Sequence, residues 1–355
     1  MNTVDLRPAA IRRLTAAWQG GERRPPSLLA DTWTRLADAW QARRAAGRPA
    51  PAGAALVVSI GNLALGGTGK TPVTAQLARD LAAGGLRGAV LTRGYGSRLE
   101  GPCRVCADTP GAGDEARLLA GMLASAGWTV VQARRRARGI SWLAAHEPGL
   151  DVLLVEDGHQ TAGVGRHLDI LIVAAAADTS GPTLRPLAGR VAPFGPWRES
   201  AVGAARAAVW LVEAGETLPA GPAGTTVAAF RREYRFEGGA PAGRSVALLS
   251  GIARPEVFEA AAAQLLVAEP ALVIRCRDHE PYGDRLLARI DGLLRSAAID
   301  AVVTTAKDRV KLAARWDGRP GLRVLEMQVR WTGALALPDL VRERLDAVRR
   351  GGAAD

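Results

Sequence analysis

The sequence predicts an α/β fold: a mostly parallel sheet with helices on both faces, followed by a second, smaller α/β domain. Three observations carry this. Short apolar runs alternate with helix-length segments along most of the chain. The runs are continuously apolar rather than alternating, as strands buried on both faces require. The first of them passes through a glycine-rich turn directly into a helix. At 355 residues the chain also exceeds the size at which one core is comfortable.

Residues 1–54 carry Leu6, Ile11, Leu14 and Trp18, then Leu28, Leu29, Trp33, Leu36 and Trp40, at helical spacing with arginines interleaved and Pro25-Pro26 between them. This reads as a pair of surface helices packing on the body, or as an interfacial helix pressing Trp and Leu into an anionic membrane. Pro49, Pro51 and Gly53 end the segment. Residues 55–225 form the expected core domain. Its strands fall at Ala54–Ile60, Gly88–Thr92, Trp128–Gln132, Val152–Val155 and Ile170–Ala174, with a helix from about Thr71 to Ala83. Residues 226–245 read as a connecting strand or hairpin around the alternating stretch Ala229–Phe236. Residues 246–350 resume the alternation: strand Val246–Ser250, helix Pro255–Leu266, strand Leu272–Arg275, helix Gly283–Ala297 and strand Ala301–Thr305. Residues Gly351 to Asp355 read as frayed.

Composition narrows the function. No window approaches the roughly 18 apolar residues of a spanning helix, and the N-terminus lacks the apolar core of a secretory signal, so a cytoplasmic protein is expected. Cys103 and Cys106 form a CxxC, but no second pair follows at zinc-ribbon spacing, and plain thiols in a reducing compartment fit better. The formal charge of +11 draws the protein toward anions. The arginines are dispersed, with a short cluster at Arg134-Arg135-Arg136 and others near the ends. No aromatic-studded basic stripe accompanies them, which argues against nucleic acid.

The chemistry begins at Leu65-Gly66-Gly67-Thr68-Gly69-Lys70-Thr71-Pro72, between the first strand and its helix. That is the setting of a phosphate-binding P-loop. Glycines let successive N–H groups point at phosphate oxygens, and the helix N-terminus adds partial positive charge. Lys70 is expected on the β- and γ-phosphates, and the Thr71 hydroxyl on Mg²⁺. The full pattern asks for glycine at position 64, where this chain has Ala64. A P-loop also needs a carboxylate at the end of a neighbouring strand. Val152–Val155 followed by Glu156-Asp157-Gly158 supplies Asp157 and Glu156 as metal-side candidates; a strand-ending Asp-Gly turn is the bland alternative. Gly113-Asp114-Glu115 opens a helix, where Asp114 is either an N-cap or a functional acid. Asp278-His279 follows a strand end.

In order and spacing these motifs resemble the tetraacyldisaccharide 4′-kinase family of lipid A biosynthesis, from about residue 55 to 312. The resemblance rests on Ser59-Ile60-Gly61-Asn62-Leu63 leading into GGTGKTP, Thr92–Gly96, Gly113-Asp114-Glu115 and Glu156–Gln160. It continues through Gly195–Glu199, Ser250–Ala253, Asp278-His279 and Thr304–Asp308. It implies transfer of the ATP γ-phosphate to the 4′-hydroxyl of a tetraacyl glucosamine disaccharide 1-phosphate by a monomer, peripheral on the cytoplasmic face of the inner membrane. Residue by residue it assigns Lys70 and Thr71 to phosphates and Mg²⁺, and Asp157 with Glu156 to the metal side. Asp114 becomes the base toward the sugar hydroxyl, and His279 the residue that orients and tunes it. Arg93, Tyr95, Gln160, Arg198 and Glu199 become acceptor-side residues. The family usually shows two aspartates before glycine, then an apolar residue, Gln and His; here Glu156, His159 and Thr161 replace the first, third and last of these. The stretch before Arg198 is looser than the family form, and Ala306 stands where a glutamate usually precedes Lys307. The rival readings are a P-loop kinase for another glycolipid or sugar, and a nucleotide-dependent switch.

Overall fold

The computed structural model describes residues 2–13, 28–47, 55–173, 191–215, 222–241 and 245–351. Leu14, Trp18, Pro25-Pro26, the Pro49–Gly53 stop, Ala174 and the tail beyond Gly351 lie outside the described residues. The strands are β1 (Asn2–Asp5), β2 (Leu56–Asn62), β3 (Gly88–Thr92), β4 (Cys103–Arg104), β5 (Thr129–Gln132), β6 (Val152–Glu156) and β7 (Leu168–Val173). They continue as β8 (Val209–Glu213), β9 (Thr226–Phe236), β10 (Val246–Ser250), β11 (Leu272–Arg275), β12 (Ala301–Thr305) and β13 (Gly321–Thr332). The helices are α1 (Leu28–Ala46), α2 (Lys70–Ala83), α3 (Asp114–Leu123), α4 (Arg136–His146), α5 (Ala201–Ala204), α6 (Pro255–Leu265), α7 (Asp284–Ser296), α8 (Ala306–Leu312) and α9 (Leu337–Gly351).

The chain divides into two compact units. The first holds Met1–Ala17 and Glu233–Gln328, and the second holds Trp18–Arg232 and Val329–Asp355. These boundaries differ from the expected ones at both ends. Residues Asn2–Asp5 are a strand paired in parallel with β11, not a helix, and Leu6 packs on the core of the first unit. Residues 9–13, which include Ile11, are helical as the spacing expects, so the pairing displaces only the start of the segment. At the other end, α9 packs on α2 and β2 of the second unit, where Arg342 donates to the Asp80 carbonyl at 3.1 Å.

In the second unit the strand order is β9-β8-β7-β2-β6-β3-β5-β4, parallel throughout except for the two-residue β4. Strands β2, β3, β6 and β7 are buried along their whole length, which explains their largely apolar runs. Strand β2 lies between β6 and β7, so the chain leaves the sheet centre at its carboxyl end, the usual place for a ligand crevice in an open α/β sheet. Helix α2 buries Val73, Ala75, Leu77, Ala78 and Leu81.

The first unit has the strand order β1-β11-β10-β12-β13, all parallel. Its strand ends converge on the fully buried Asp308. The carboxylate accepts from the Gly251 N–H at 3.0 Å, the Tyr282 hydroxyl at 2.9 Å and the Thr305 hydroxyl at 2.7 Å. Loops following three different strands are thereby tied to one group.

Candidate active site

The register of β2 on β6 sets Ile60 opposite Glu156, so the glycine loop and the acid pair leave the same edge of the sheet side by side. Helix α2 begins at Lys70, with Gly69 as its N-cap at φ 85°, a left-handed conformation that glycine adopts without strain. Residue 64 has no such need. Ala64 sits in an antiparallel bridge with Trp197, flanked by Leu65 N–H to the Pro196 carbonyl and Arg198 N–H to the Leu63 carbonyl, each 2.7 Å. That extended clamp is where the loop tolerates alanine.

Lys70 and Thr71 meet the two acids in different ways. The Lys70 ammonium lies 3.5 Å from the Asp157 carboxylate and donates to Asn62 Oδ1 at 3.1 Å. Asn62 Nδ2 in turn donates to the Thr68 hydroxyl at 2.7 Å, so one side chain at the end of β2 steadies both the loop and its lysine. The Thr71 hydroxyl donates to Glu156 Oε1 at 2.6 Å, and the Thr92 hydroxyl to Glu156 Oε2 at 2.7 Å.

The two carboxyls are shifted in opposite directions. Burial, reinforced by the charge of Glu115, pushes Glu156 up to about 7, against the hydrogen bonds from Thr71 and Thr92. Burial would raise Asp157 as well, but Lys70, Arg198 and Arg136 outweigh it and hold that carboxyl well below the usual carboxylate range. Arg198 Nη1 grips both Asp157 oxygens, at 2.7 and 2.8 Å. From beneath, the buried Arg136 donates to the carbonyls of Glu156 at 2.8 Å and Asp157 at 3.1 Å. Asp157 itself is at φ 51°, a strained conformation for aspartate that these four bonds hold in place.

Asp114 is not an N-cap. Gly113 takes that position in extended backbone, and Asp114 is the first helical residue of α3. A carboxylate there is favoured by the helix dipole. The Gly113 N–H donates to Gln132 Oε1 at 2.8 Å. A Cβ on Gly113 would fall 2.8 Å from Gly94 Cα, so the Arg93–Gly96 turn and the start of α3 are packed backbone to backbone. Arg93 and Tyr95 are exposed on that turn.

Arg198 and Glu199 do not pair with each other. Arg198 faces Asp157, whereas Glu199 is fully buried and accepts from Gln160 Nε2 at 2.8 Å and Arg206 Nη2 at 2.7 Å. Gln160 Nε2 also donates to the Asn62 carbonyl at 2.9 Å. His159 and Thr161 find a local reason here. His159 is fully buried, with Nδ1 3.1 Å from Asp169 Oδ2 and Nε2 2.9 Å from the Gly203 carbonyl. Gly61 makes room for it, since a Cβ there would lie 2.5 Å from His159 Cβ. The Thr161 carbonyl accepts from Arg166, whose other nitrogen reaches Asp169 at 3.1 Å.

In the first unit His279 is at φ 56°. Its Nε2 lies 3.0 Å from the Lys307 ammonium, which also pairs with Asp278 at 3.0 Å. His279 thus belongs to the first unit and Asp114 to the second. Thr92, Arg136 and Arg206 were not singled out as site residues by sequence reasoning, nor was Asn62 beyond its place in a motif. Asn62 and Thr92 share a signal that would have found them, a polar residue ending a mostly apolar strand. Cys103, Cys106 and Cys276 are free thiols.

Oxygen donors suit Mg²⁺, which takes one or two carboxylates plus phosphate oxygens. The Thr71 hydroxyl keeps a lone pair for a cation while donating to Glu156, so Thr71, Asp157 and Glu156 fit that ion.

The buried Asp169 makes a pH prediction. Desolvation would raise its carboxyl, but the hydrogen bond from His159 and the charges of His159 and Arg166 hold it below its ordinary 3.8. A depressed carboxyl contributes stability that is present above 3.8 and lost as pH falls through the lowered value. Asp169→Asn should therefore unfold more easily at pH 7 and show a shallower acid-side loss, read by chemical denaturation across pH.

The comparisons with known proteins agree with this geometry. The family model for tetraacyldisaccharide-1-P 4′-kinase matches residues 24–346. A tetraacyldisaccharide 4′-kinase of Rhodospirillum centenum is 37% identical over 328 residues, covering 88% of this chain and 90% of that protein. One from Anaeromyxobacter dehalogenans strain 2CP-C is 36% identical over 297 residues, covering 74% of each. The crystal structure of LpxK from Aquifex aeolicus in complex with ATP shares the fold, with a TM-score of 0.66 at 22% identity over 90% of this chain and 97% of that one. With the P-loop, the acid pair and the sheet order all in place, the chain belongs to the tetraacyldisaccharide-1-P 4′-kinase family.

Proposed function

We propose that this protein is a kinase that transfers the γ-phosphoryl group of ATP to the 4′-hydroxyl of a tetraacyl glucosamine disaccharide 1-phosphate. The observation that carries the reading is the cluster of Lys70, Asp157 and Arg198 at the mouth of the glycine loop. Three cations, Lys70, Arg198 and Arg136, surround one firmly ionised acid, a surplus of positive charge suited to a polyphosphate. Bound Mg²⁺ would neutralise charge on the β- and γ-phosphates. Lys70 holds the phosphates, Thr71 with Asp157 and Glu156 faces the metal side, and loop amides cradle the oxygens. The acceptor hydroxyl attacks the γ-phosphorus, the bond to the β,γ-bridging oxygen breaks, and the proton passes to Asp114 as ADP leaves. A carboxylate suffices because phosphoryl transfer needs positioning more than strong deprotonation. Arg93, Tyr95 and Gln160 are assigned to the acceptor side.

Incubation with labelled ATP and tetraacyl disaccharide 1-phosphate should yield a 4′-phosphomonoester, identified by mass spectrometry. Asp114→Ala should lower kcat by about a hundredfold or more while ATP binding persists. An unchanged kcat in that variant means a different base. Label transferred only to a non-acylated sugar means a different acceptor.

We further infer that the protein works at a membrane surface, the cytoplasmic face of the inner membrane. Helix α1 supports this. It presents Leu28, Leu29, Leu36 and Trp40 to solvent, with Arg43 and Arg44 in its last turn. It is held by its other side, where Asp38 accepts from the Ser200 hydroxyl at 2.6 Å and the Ser200 N–H at 3.0 Å. Among the described residues no helix is long and apolar enough to cross a membrane. In flotation with anionic liposomes, replacing Leu29, Leu36 and Trp40 by serine should leave most of the protein unbound. Flotation equal to wild type would remove α1 from the account.

A further inference from the structure

The phosphate loop is also held from outside itself. Arg232 stands two residues beyond Phe230 on β9, on the same side of the strand, and its guanidinium lies over the Phe230 ring, 5.8 Å from the centroid. Nη1 pairs with Glu213, the last residue of β8, at 3.1 Å. Nη2 donates to the Thr68 carbonyl in the loop at 3.3 Å. The side chain is only 11% exposed, so this is a built contact rather than a surface arginine lying where it falls. Packing alone does not call for an arginine here. Its Nε is buried with no acceptor among the described residues, a cost that an apolar chain of similar length would not incur.

The peptide between Thr68 and Gly69 is trans. A planar trans peptide directs its carbonyl and its N–H to opposite sides. Holding the Thr68 carbonyl toward Arg232 therefore holds the Gly69 N–H away from it. Thr68 is then fixed twice, by Asn62 at its hydroxyl and by Arg232 at its carbonyl.

We propose that Arg232 is a positioning residue for triphosphate binding: it aims the Gly69 N–H into the phosphate loop without touching the nucleotide. Glu213 fixes the guanidinium in turn. This rests on the reading of the Lys70–Thr71 loop as a triphosphate site.

The test uses the full-length chain as wild type, Arg232→Met, Arg232→Lys and Glu213→Gln. For each, ATP affinity is measured by calorimetry with Mg²⁺, together with KM for ATP, KM for the acceptor and nucleotide-free melting. Arg232→Met should weaken ATP by about tenfold, the scale of one charge-assisted hydrogen bond. Its acceptor KM and nucleotide-free melting should stay near wild type. Arg232→Lys, whose ammonium can still reach a carbonyl, should recover part of the affinity, and Glu213→Gln should lose less than Arg232→Met. If Arg232→Met does not fold, the last two variants decide. ATP affinity equal to wild type in the Arg232 variants overturns the inference. So does a loss that tracks melting and is not relieved by lysine. If wild type itself binds no ATP, the triphosphate reading fails and takes the inference with it, an outcome distinct from wild type and Arg232→Met binding ATP equally.

Discussion

The parallel pairing of β2 with β6 is the constraint from which the second unit's chemistry follows. It sets Leu56 against Val152 and Ile60 against Glu156. Parallel strands end at the same edge, so a glycine loop after one and two acids after the other emerge together. A slip of one residue would turn Glu156 to the opposite face and separate it from Thr71. Both strands are mostly apolar and buried on both faces, which fixes that register; the polar groups that reach the site, Asn62 and Glu156, stand at their ends. The site is therefore a by-product of a well-determined core.

What gathers there is an arrangement of unequal charges. Asp157 lies among Lys70, Arg198 and Arg136 and keeps its negative charge despite burial. Glu156, one residue earlier, meets mainly hydroxyls and is pushed up to about 7. Two adjacent carboxyls thus sit in different environments because the strand ends at Glu156 and the left-handed turn at Asp157 redirects the second side chain. The extra methylene of Glu156 is used to reach both Thr71 and Thr92. Arg198 and Glu199 divide in the same way, one toward the loop mouth and the other into a buried network with Gln160 and Arg206.

Much of this was legible in the sequence because it is local. Largely apolar runs marked β2, β3, β6 and β7, and the glycine spacing marked the loop and the start of α2. The acid pair was readable from its place after such a run. The rest depends on contacts distant in sequence. Nothing in the Asn2–Asp5 tetrapeptide announces an edge strand; only β11 makes it one. Ala64 looked like a gap in the loop pattern until its bridge to Trp197 appeared. His159 looked like a departure, yet it is seated between Asp169 and the Gly203 carbonyl, far along the chain. Arg232 read only as a polar position on an alternating strand, since its partners Thr68 and Glu213 come from other elements.

The central claim is that the loop after β2 and the acids after β6 form one site for a metal-bound triphosphate. Paramagnetic Mn²⁺ in place of Mg²⁺, titrated with a non-hydrolysable ATP analogue and followed by electron spin resonance, reads that site directly. The account predicts a nucleotide-dependent bound Mn²⁺ signal in the wild type that is lost or strongly weakened in both Thr71→Ala and Asp157→Asn. Binding that persists unchanged in both variants would contradict it.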